Sequence, residues 1–387
     1  MLPITPVEST INITNVAQLE RKWGISCDDI YVNPISRSPA IYNGKLYTSG
    51  AYVRLTAYDA QTGQMLWQFG NGTTWAPQPV VSEDGIVFYM EGSSGIYQLY
   101  AVDADSGDEL WKAPLAFDLG ISDTDLVTVD EANGLVYIVE DPWPPGDGDG
   151  KLFALDKQTG EIVWHKSKAM DDIAFKGDYV LLNEGKIFVA EEVDSHGPDH
   201  MLSINASSQG IKITFDRPPK YTEQYTLRQD PEYIEQYTLC NDRLLVGFSY
   251  EYLKPAKRLV AYDPNSPAIV WQKEFSEEIT GTIACNMSGN IIYVPTDPYL
   301  YALNATTGEE VWKYMGYGAI YNPSIANGIV YFLSDNSMYA IDENTGEKLF
   351  SFPLGFKASE TTQVAICDGM VYFSGSDGTC GLFALGT

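Results

Sequence analysis

Residues 152–164 read LFALDKQTGEIVW, and this pattern returns throughout the chain. An alternating apolar run ends in Asp156, a Thr-Gly pair follows, and Trp164 stands eight residues after the acid. Alternation of apolar and polar residues is typical of a strand with one buried face, and Asp-x-x-Thr-Gly is typical of a tight turn. The stretch therefore predicts a β-hairpin whose second strand carries the tryptophan.

The pattern has four other clean copies: LTAYDAQTGQMLW (55–67), LYAVDADSGDELW (99–111), LVAYDPNSPAIVW (259–271) and LYALNATTGEEVW (300–312). A fifth, MYAIDENTGEKLF (338–350), has Phe350 in place of tryptophan, and LSINASSQGIKIT (202–214) is a degraded copy. Another predicted hairpin precedes each copy, so one repeat contains four strands. Eight repeats averaging about 48 residues predict an all-β fold, an eight-bladed β-propeller of four-stranded antiparallel blades.

The last repeat ends at LFALGT (382–387), without its tryptophan strand. That strand occurs near the other end of the sequence, where Trp23 stands eight residues after Asn15. We expect residues 15–27 to complete blade 8 and close the ring, which removes an exposed sheet edge. An open array of hairpins is the alternative. We predict one propeller domain over residues 1–387, with insertions at 140–151, 191–201 and 216–238.

The Ala-Leu-Asp-x-x-Thr-Gly pattern with its tryptophan resembles the tryptophan-docking motif of propellers like the pyrroloquinoline-quinone (PQQ) dehydrogenases. The resemblance covers essentially the whole chain. It implies that six tryptophans pack between neighbouring blades: Trp23, Trp67, Trp111, Trp164, Trp271 and Trp312. It implies little about activity, because this superfamily includes quinoprotein dehydrogenases, outer-membrane assembly scaffolds and cofactor-free proteins.

Family members that use the quinone typically carry two adjacent cysteines, a calcium site of Glu, Asn and Asp, and an Asp base. The five cysteines of this chain are never adjacent, so we expect a member without a cofactor, in which neither PQQ nor calcium is bound. The hairpin register extended to blade 8 puts Cys27 opposite Cys380, which predicts a disulfide that locks the ring; two free thiols are the alternative. We interpret Cys240, Cys285 and Cys367 as small buried apolar residues.

Connections between the second and third strands of a blade leave from the same end as the crossovers to the next blade. At this upper end the connections are long, and long loops gathered at one end of a scaffold usually carry function. The longest repeats itself as YTEQYTL (221–227) and YIEQYTL (233–239), which we interpret as a lid over a central funnel or as a duplicated surface hairpin. We predict substrate-binding residues on these loops: Trp75, Trp143, Tyr221, Tyr233, Tyr237, Arg228, Tyr250 and Tyr252.

The candidate catalytic residues lie on the same loops: His196, His200, Asp194 and Tyr225. The spacing of the two histidines resembles that of a metal pair, but a Gly-Pro loop lacks the helical face that aligns such ligands, so we predict no metal site. Acid–base catalysis and a solvated loop both remain possible interpretations.

The net charge of −28, from 24 basic and 52 acidic residues, argues against nucleic acid as a partner, because phosphate binding needs clustered Lys and Arg. No apolar run is long enough to span a bilayer. The first residues, MLPITPVEST, lack the features of a signal peptide, so we expect any such segment to be absent from this sequence. Five Asn-x-Ser/Thr sequons and the predicted disulfide favour a secreted or luminal glycoprotein, with sites at Asn12, Asn71, Asn205, Asn286 and Asn304.

Aromatic loops without a recognisable redox centre favour a cofactor-independent small-molecule enzyme. Cyclisation, isomerisation or elimination, as in a natural-product cyclisation, fits this equipment, because orientation and hydrogen bonding accelerate such steps. A non-catalytic scaffold that binds a protein partner is the first alternative, and a PQQ-dependent dehydrogenase is the second.

Overall fold

The computed structural model describes residues 10–26, 39–50, 53–72, 77–93, 96–118, 127–140, 150–167, 174–192, 200–206, 213–215, 233–240, 242–249, 255–354, 363–375 and 381–387. In these residues 32 strands form eight four-stranded antiparallel sheets arranged as a ring. The predicted eight-bladed β-propeller is therefore confirmed. Within the described ranges, no helix is long and apolar enough to cross a membrane.

The first half of the ring consists of blades whose strands follow one another in chain order. Blade 1 contains β2 (Ala40–Tyr42), β3 (Lys45–Gly50), β4 (Val53–Asp59) and β5 (Met65–Phe69). Blade 2 contains β6 (Val80–Val81), β7 (Ile86–Ser93), β8 (Ile96–Asp103) and β9 (Glu109–Asp118). Blade 3 contains β10 (Thr128–Asp130), β11 (Leu135–Glu140), β12 (Lys151–Asp156) and β13 (Ile162–Ser167). Blade 4 contains β14 (Ala174–Asn183), β15 (Lys186–Glu192), β16 (His200–Asn205) and β17 (Ile213–Phe215).

The second half continues the pattern until the closing blade. Blade 5 contains β18 (Tyr233–Cys240), β19 (Arg243–Ser249), β20 (Arg258–Tyr262) and β21 (Ile269–Glu274). Blade 6 contains β22 (Ala284–Cys285), β23 (Ile291–Pro295), β24 (Tyr299–Asn304) and β25 (Glu310–Met315). Blade 7 contains β26 (Ile320–Ala326), β27 (Ile329–Ser334), β28 (Ser337–Asp342) and β29 (Lys348–Pro353). Blade 8 contains β30 (Ala365–Cys367), β31 (Met370–Gly375), β32 (Gly381–Gly386) and, from the start of the sequence, β1 (Glu20–Ser26).

The first and last strands close the ring as predicted, since β1 pairs antiparallel with β32 from Glu20 opposite Gly386 to Ser26 opposite Gly381. The strand begins later than residue 15, because residues Val16–Gln18 form a 3-10 turn. Val16 and Leu19 are buried with the partly buried Phe350 in the core between blades 7 and 8. This segment takes the place of the Asp-x-x-Thr-Gly turn, which blade 8 lacks. The residue of blade 7 that packs on it is Phe350, at the position where most other blades have the docking tryptophan.

The tryptophan-docking geometry recurs around the ring. An indole N–H donates to a backbone carbonyl of the next blade, in the residue after the turn's Asp or Asn, in five pairs: Trp23 to Ala60 (3.1 Å), Trp67 to Ala104 (3.3 Å), Trp111 to Lys157 (3.0 Å), Trp271 to Ala305 (2.8 Å) and Trp312 to Glu343 (2.8 Å). Trp164 packs in the same core cluster as Ala206 of blade 4. The six predicted docking positions are therefore confirmed.

The turn glycine explains why the motif is so regular. A Cβ added to Gly63 would lie 2.7 Å from the ring of Trp23, and the φ angle of Gly63 is +71°, in the left-handed region. Glycine is therefore needed both for the turn and for contact with the indole. Asp59 completes the turn, because its Oδ1 accepts hydrogen bonds from the backbone N–H and the hydroxyl of Thr62.

Candidate functional site at the upper end

Most of the residues that the sequence predicts for the site lie outside the described ranges: Asp194, His196, Tyr221, Tyr225, Arg228, Tyr250, Tyr252, Trp75 and Trp143. The predicted disulfide partners Cys27 and Cys380 lie outside them as well. For two further predicted residues, His200 and Tyr233, the structure describes the backbone. His200 begins β16 and Tyr233 begins β18, so both lie at the upper ends of neighbouring blades 4 and 5.

Tyr237 has a described side chain, and it lies in the core. It is 5% exposed and packs in the cluster between blades 4 and 5 that contains Phe188 and Val246. Packing therefore accounts for Tyr237 in this structure, whereas the sequence predicted a substrate contact.

The predicted glycosylation sites differ in how their side chains are placed. Asn286 is 9% exposed, and its Nδ2 donates to Asn290 Oδ1 (2.8 Å) and Glu343 Oε1 (2.7 Å). The folded chain therefore does not present the nitrogen of Asn286 to a modifying enzyme. Asn71 is exposed, and the glycosylation sites at Asn12, Asn71, Asn205, Asn286 and Asn304 stay predictions.

A buried glutamate anchors the base of the connection that carries Trp75. Glu91, 8% exposed at the upper end of β7, accepts the backbone N–H groups of Asn71 (2.8 Å) and Gly72 (3.0 Å). On the far side of the connection, the Ser49 hydroxyl donates to the Pro77 carbonyl oxygen at 2.5 Å. The described residues on both sides of 73–76 are thus fixed by side chains of the neighbouring strands.

A second glutamate has the same place in the next blade, where the connection carries Trp143. Glu140 is 5% exposed, and its carboxylate accepts a hydrogen bond from Lys151 Nζ at 2.6 Å. Glu140 and Lys151 are also opposite each other in the β11–β12 ladder, so the ion pair joins the two ends of the connection.

These glutamates were missed by the sequence reasoning, although the repeat contains a signal for them. Glu91 and Glu140 are both the sixth residue of the second strand of their blade, and Glu191 is the sixth residue of that strand in blade 4. Blades 5 to 8 have no acid there. An acid at this position in three consecutive blades, buried at Glu91 and Glu140, distinguishes one arc of the upper end.

On the other arc, blade 6 carries a cation packed on tyrosines. Lys313 Nζ lies 3.7 Å from the ring centroid of Tyr299 and 4.8 Å from that of Tyr301. It donates to Tyr301 Oη (3.2 Å), and Tyr301 in turn donates to Glu277 Oε2 (3.1 Å). The cation–π contacts and the two charge-assisted hydrogen bonds hold the exposed lysine in a fixed position.

The electrostatics of this group favour recognition over proton transfer. Desolvation raises the pKa of Tyr301, and the hydrogen bond to Tyr301 raises the pKa of Lys313. Desolvation opposes the change at Glu277, but hydrogen bonds from Ser276 and Tyr301 lower its pKa. All three pKa values move away from neutrality, whereas a general acid or base works best with a pKa near the working pH.

An aromatic stack continues along the same rim to blade 7. Tyr317, 77% exposed in the crossover after β25, stacks on Tyr339 with ring centroids 6.3 Å apart, and Tyr339 stacks on Phe332 at 5.4 Å. Met315, 65% exposed, ends the adjoining strand. We call Met315, Tyr317 and Lys313, with the tyrosines beneath them, the aromatic rim.

Comparison with known proteins supports the repeat. The family model described as "Outer membrane protein assembly factor BamB" (PQQ_2) matches residues 32–204 and 255–381, more than half of the chain. The chain belongs to this PQQ_2 family. The matched residues lie in both halves of the ring.

The relatives of this PQQ_2 protein include enzymes and an assembly factor. Quinoprotein ethanol dehydrogenase of Pseudomonas putida is 28% identical over 167 residues, which are 40% of this chain and 26% of that enzyme. BamB of Shewanella oneidensis is 28% identical over 127 residues, which are 32% of this chain and 28% of that protein. The matched region thus spans about a quarter of the length of these curated relatives.

Solved structures show the same fold at low identity. Quinohemoprotein alcohol dehydrogenase from Comamonas testosteroni superimposes with a TM-score of 0.72 at 14% identity, covering 99% of this chain and 78% of that one. BamB from Moraxella catarrhalis gives 0.65 at 14% identity, covering 95% and 100%. This likeness concerns the fold alone.

The names of the dehydrogenase relatives imply a quinone cofactor in those enzymes. No two cysteines are adjacent, and among the described residues no three His, Cys, Asp or Glu side chains converge as a metal site. The expectation that neither PQQ nor calcium is bound stays a prediction.

Proposed function

We propose that this PQQ_2-family propeller is a non-catalytic scaffold that binds a basic segment of a partner protein at its upper end. The observation that carries the proposal is the aromatic rim, where Tyr317 exposes 77% of its surface although its ring is held against Tyr339. An exposed tyrosine beside an exposed methionine is typical of protein-binding surfaces, because both residue types are enriched there and tyrosine buries a large area at small entropic cost.

The charge of the chain supports a basic partner. Asp335 follows β27 beside the rim, and the Ser334 hydroxyl donates to the Gly318 carbonyl oxygen (3.1 Å), which ties this loop to the crossover of Tyr317. A net charge of −28 attracts a cationic segment over long range and speeds its association. Lys313, fixed by Tyr299 and Tyr301, would repel a wrongly placed cation and so help to set the register.

The protonation states of the rim support binding over catalysis. With the pKa values of Tyr301 and Lys313 raised and that of Glu277 lowered, none of the three exchanges a proton readily at neutral pH. This changes the preference that the sequence alone suggested, which was for an enzyme. The BamB description of the family agrees with a protein partner.

The test is site-specific photo-cross-linking in cells of the source organism. A photoreactive amino acid at Tyr317 should capture one discrete partner, and the same group at Met287 should not. Met287 is the matched control, because it is 81% exposed but lies in the β22–β23 turn at the opposite end.

The captured partner is then identified, purified and titrated by calorimetry. Tyr317→Ala should weaken binding about tenfold or more, as expected of an aromatic hot spot, while Met287→Ala should leave the Kd unchanged. Equal capture at both positions, or a Kd insensitive to Tyr317→Ala, contradicts the proposal.

A second function is favoured by the anchored connections of blades 2 and 3. Glu91 and the Glu140–Lys151 pair fix the described residues that flank the connections of Trp75 and Trp143, and a fixed framework favours a pre-organised small-molecule site. The corresponding proposal is a cofactor-independent cyclase, isomerase or lyase that uses His196, His200, Asp194 or Tyr225. Polyunsaturated or aromatic metabolites should then raise the Tm, and Trp75→Ala with Trp143→Ala should abolish that rise.

A further inference from the structure

Two cysteines meet at the lower end of the ring, away from the aromatic rim. Cys240 ends β18, the first strand of blade 5, and Cys285 ends β22, the first strand of blade 6. First strands of successive blades contact each other around the centre of the ring. Both cysteines belong to one core cluster with Leu245 and Ile292, so the two thiols occupy the same junction between blades.

The Cys240 thiol points toward the segment that contains Cys285. Its Sγ lies 3.8 Å from the carbonyl oxygen of Gly289, in the turn that follows β22. Cys285 precedes this turn and packs against the core cluster that contains Cys240. Since β18 also contacts β22, the two thiols are neighbours across the junction.

The two thiols differ in exposure and in acidity. Cys240 has no exposed surface, whereas Cys285 is partly exposed. The neighbouring sulfur of Cys285 raises the pKa of Cys240, and burial raises it further, whereas the neighbouring Cys240 thiol lowers the pKa of Cys285. A partly exposed, more acidic thiol beside a buried partner is the arrangement of an attacking and a resolving cysteine.

We propose that Cys240 and Cys285 form a reactive dithiol that a small-molecule disulfide, such as oxidised glutathione, converts into a disulfide between blades 5 and 6. The Cys285 thiolate attacks one glutathione sulfur, a mixed disulfide forms, and the first glutathione leaves as its thiolate. Cys240 then attacks the Cys285 sulfur and releases the second glutathione. Two protein thiols lose two electrons and two protons, and one small disulfide becomes two thiols.

The dithiol is independent of the function proposed for the upper end. The sequence alone explains Cys240 and Cys285 as small buried apolar residues, whereas their packing makes them a modification site. Their contact requires blades 5 and 6 to pack against each other, since 45 residues separate the two cysteines in the chain.

The test uses the full chain, first reduced and freed of reductant, then equilibrated under nitrogen in glutathione buffers of increasing oxidised fraction. After acid quenching and alkylation, peptides are mapped without reduction by mass spectrometry. The expected product is the Cys240 peptide linked to the Cys285 peptide, with both cysteines protected from alkylation. Alkylation of both at every buffer composition, or a stable mixed disulfide on Cys285 in the wild type, overturns the proposal.

Two single substitutions test the order of the steps. Cys240→Ser should trap glutathione on Cys285, and Cys285→Ser should leave Cys240 unmodified because that sulfur is buried. Cys367→Ser is the matched control, since it removes the thiol that ends the first strand of blade 8, and it should leave the Cys240–Cys285 link unchanged. Glutathione on Cys240 in Cys285→Ser would contradict the assigned roles.

Discussion

The lower and upper ends of the propeller follow different rules. At the lower end the same set of contacts is repeated, as with Asp59, Gly63 and Trp23. The acidic residue accepts hydrogen bonds that close a turn, the glycine leaves room for an indole, and the tryptophan of the preceding blade packs on that turn. At the upper end each junction is individual. Glu91 of blade 2 accepts a hydrogen bond from the backbone N–H of Asn71, which follows blade 1. Between blades 6 and 7, by contrast, Tyr317 stacks on Tyr339.

The lower end determines how the blades assemble into a ring, and the upper end is available for recognition. A ring closes only if each blade meets the next at a similar angle, so the contacts that set this angle must be alike. The connections that do not set the angle are free to differ, as loops on rigid scaffolds commonly do. Substitutions at the lower end should therefore change stability, and those at the rim should change binding.

The largest effect is expected from Trp271→Ala at the lower end. Trp271 is 8% exposed and donates to the Ala305 carbonyl oxygen at 2.8 Å. Truncation opens a cavity between blades 5 and 6 and should lower the free energy of unfolding by about 3–5 kcal/mol. Urea denaturation followed by circular dichroism measures it. Tyr317→Ala at the rim should cost no more than about 0.5 kcal/mol, and an equal loss for both variants would remove the distinction between the ends.

The next effect concerns the predicted disulfide between Cys27 and Cys380. These residues adjoin the last described pair of the closing ladder, Ser26 opposite Gly381 at the upper end. Non-reducing peptide mapping should show the link, and the double variant Cys27→Ser with Cys380→Ser should lose about 2–4 kcal/mol. If both thiols are alkylated without prior reduction, the ring is closed by hydrogen bonds and packing alone.

A smaller effect tests the contact between glycine and indole by comparing two turn glycines of blade 1. Gly63 and Gly44 have nearly equal φ angles, +71° and +72°, but an added Cβ meets Trp23 at 2.7 Å only at Gly63. Gly44→Ala should cost about 1 kcal/mol for its backbone alone, and Gly63→Ala should cost about 1–3 kcal/mol more for overpacking. Both are measured by urea denaturation. Equal losses would mean that the indole moves aside freely.

The smallest effect is a pH dependence at a lower turn. Hydrogen bonds from the backbone of Ser106 lower the pKa of Asp103, with a smaller contribution from Lys45. A lowered carboxyl pKa stabilises the fold above the unfolded pKa, and this stability is lost as the pH falls through the folded value. Asn304 forms the same turn without charge. Asp103→Asn should therefore lose about 1 °C less in Tm than the wild type on acidification from about pH 5 to pH 2. Parallel Tm curves would contradict this.

The fold could be predicted from the sequence because the blades repeat the same pattern of strands and turns. The predicted hairpin over 152–164 is the β12–β13 pair, and ring closure followed from the spacing of Asn15 and Trp23. The degraded copy in blade 4 still supplies the third and fourth strands, because β16 pairs with β17 from Met201 opposite Phe215 to Ser203 opposite Ile213.

The contacts between blades were harder to predict. Glu91 lies on a strand of blade 2 but binds backbone groups that follow blade 1, and nothing in its local pattern marks that contact. Cys240 and Cys285 are alike in their own blades, and only the packing of blades 5 and 6 brings them together. The predicted catalytic residues depend on the conformation of long upper connections, which the repeat does not encode.

The pairing of β1 with β32 also has a consequence for synthesis. The strand that leaves the ribosome early has its partner about 355 residues later, which at cellular elongation rates is a wait of roughly 20–70 seconds. During that interval Trp23, Val16 and Leu19 have no completed blade to cover them. The nascent chain therefore presents these hydrophobic side chains to chaperones until β32 has been synthesised, and only then can blade 8 be completed.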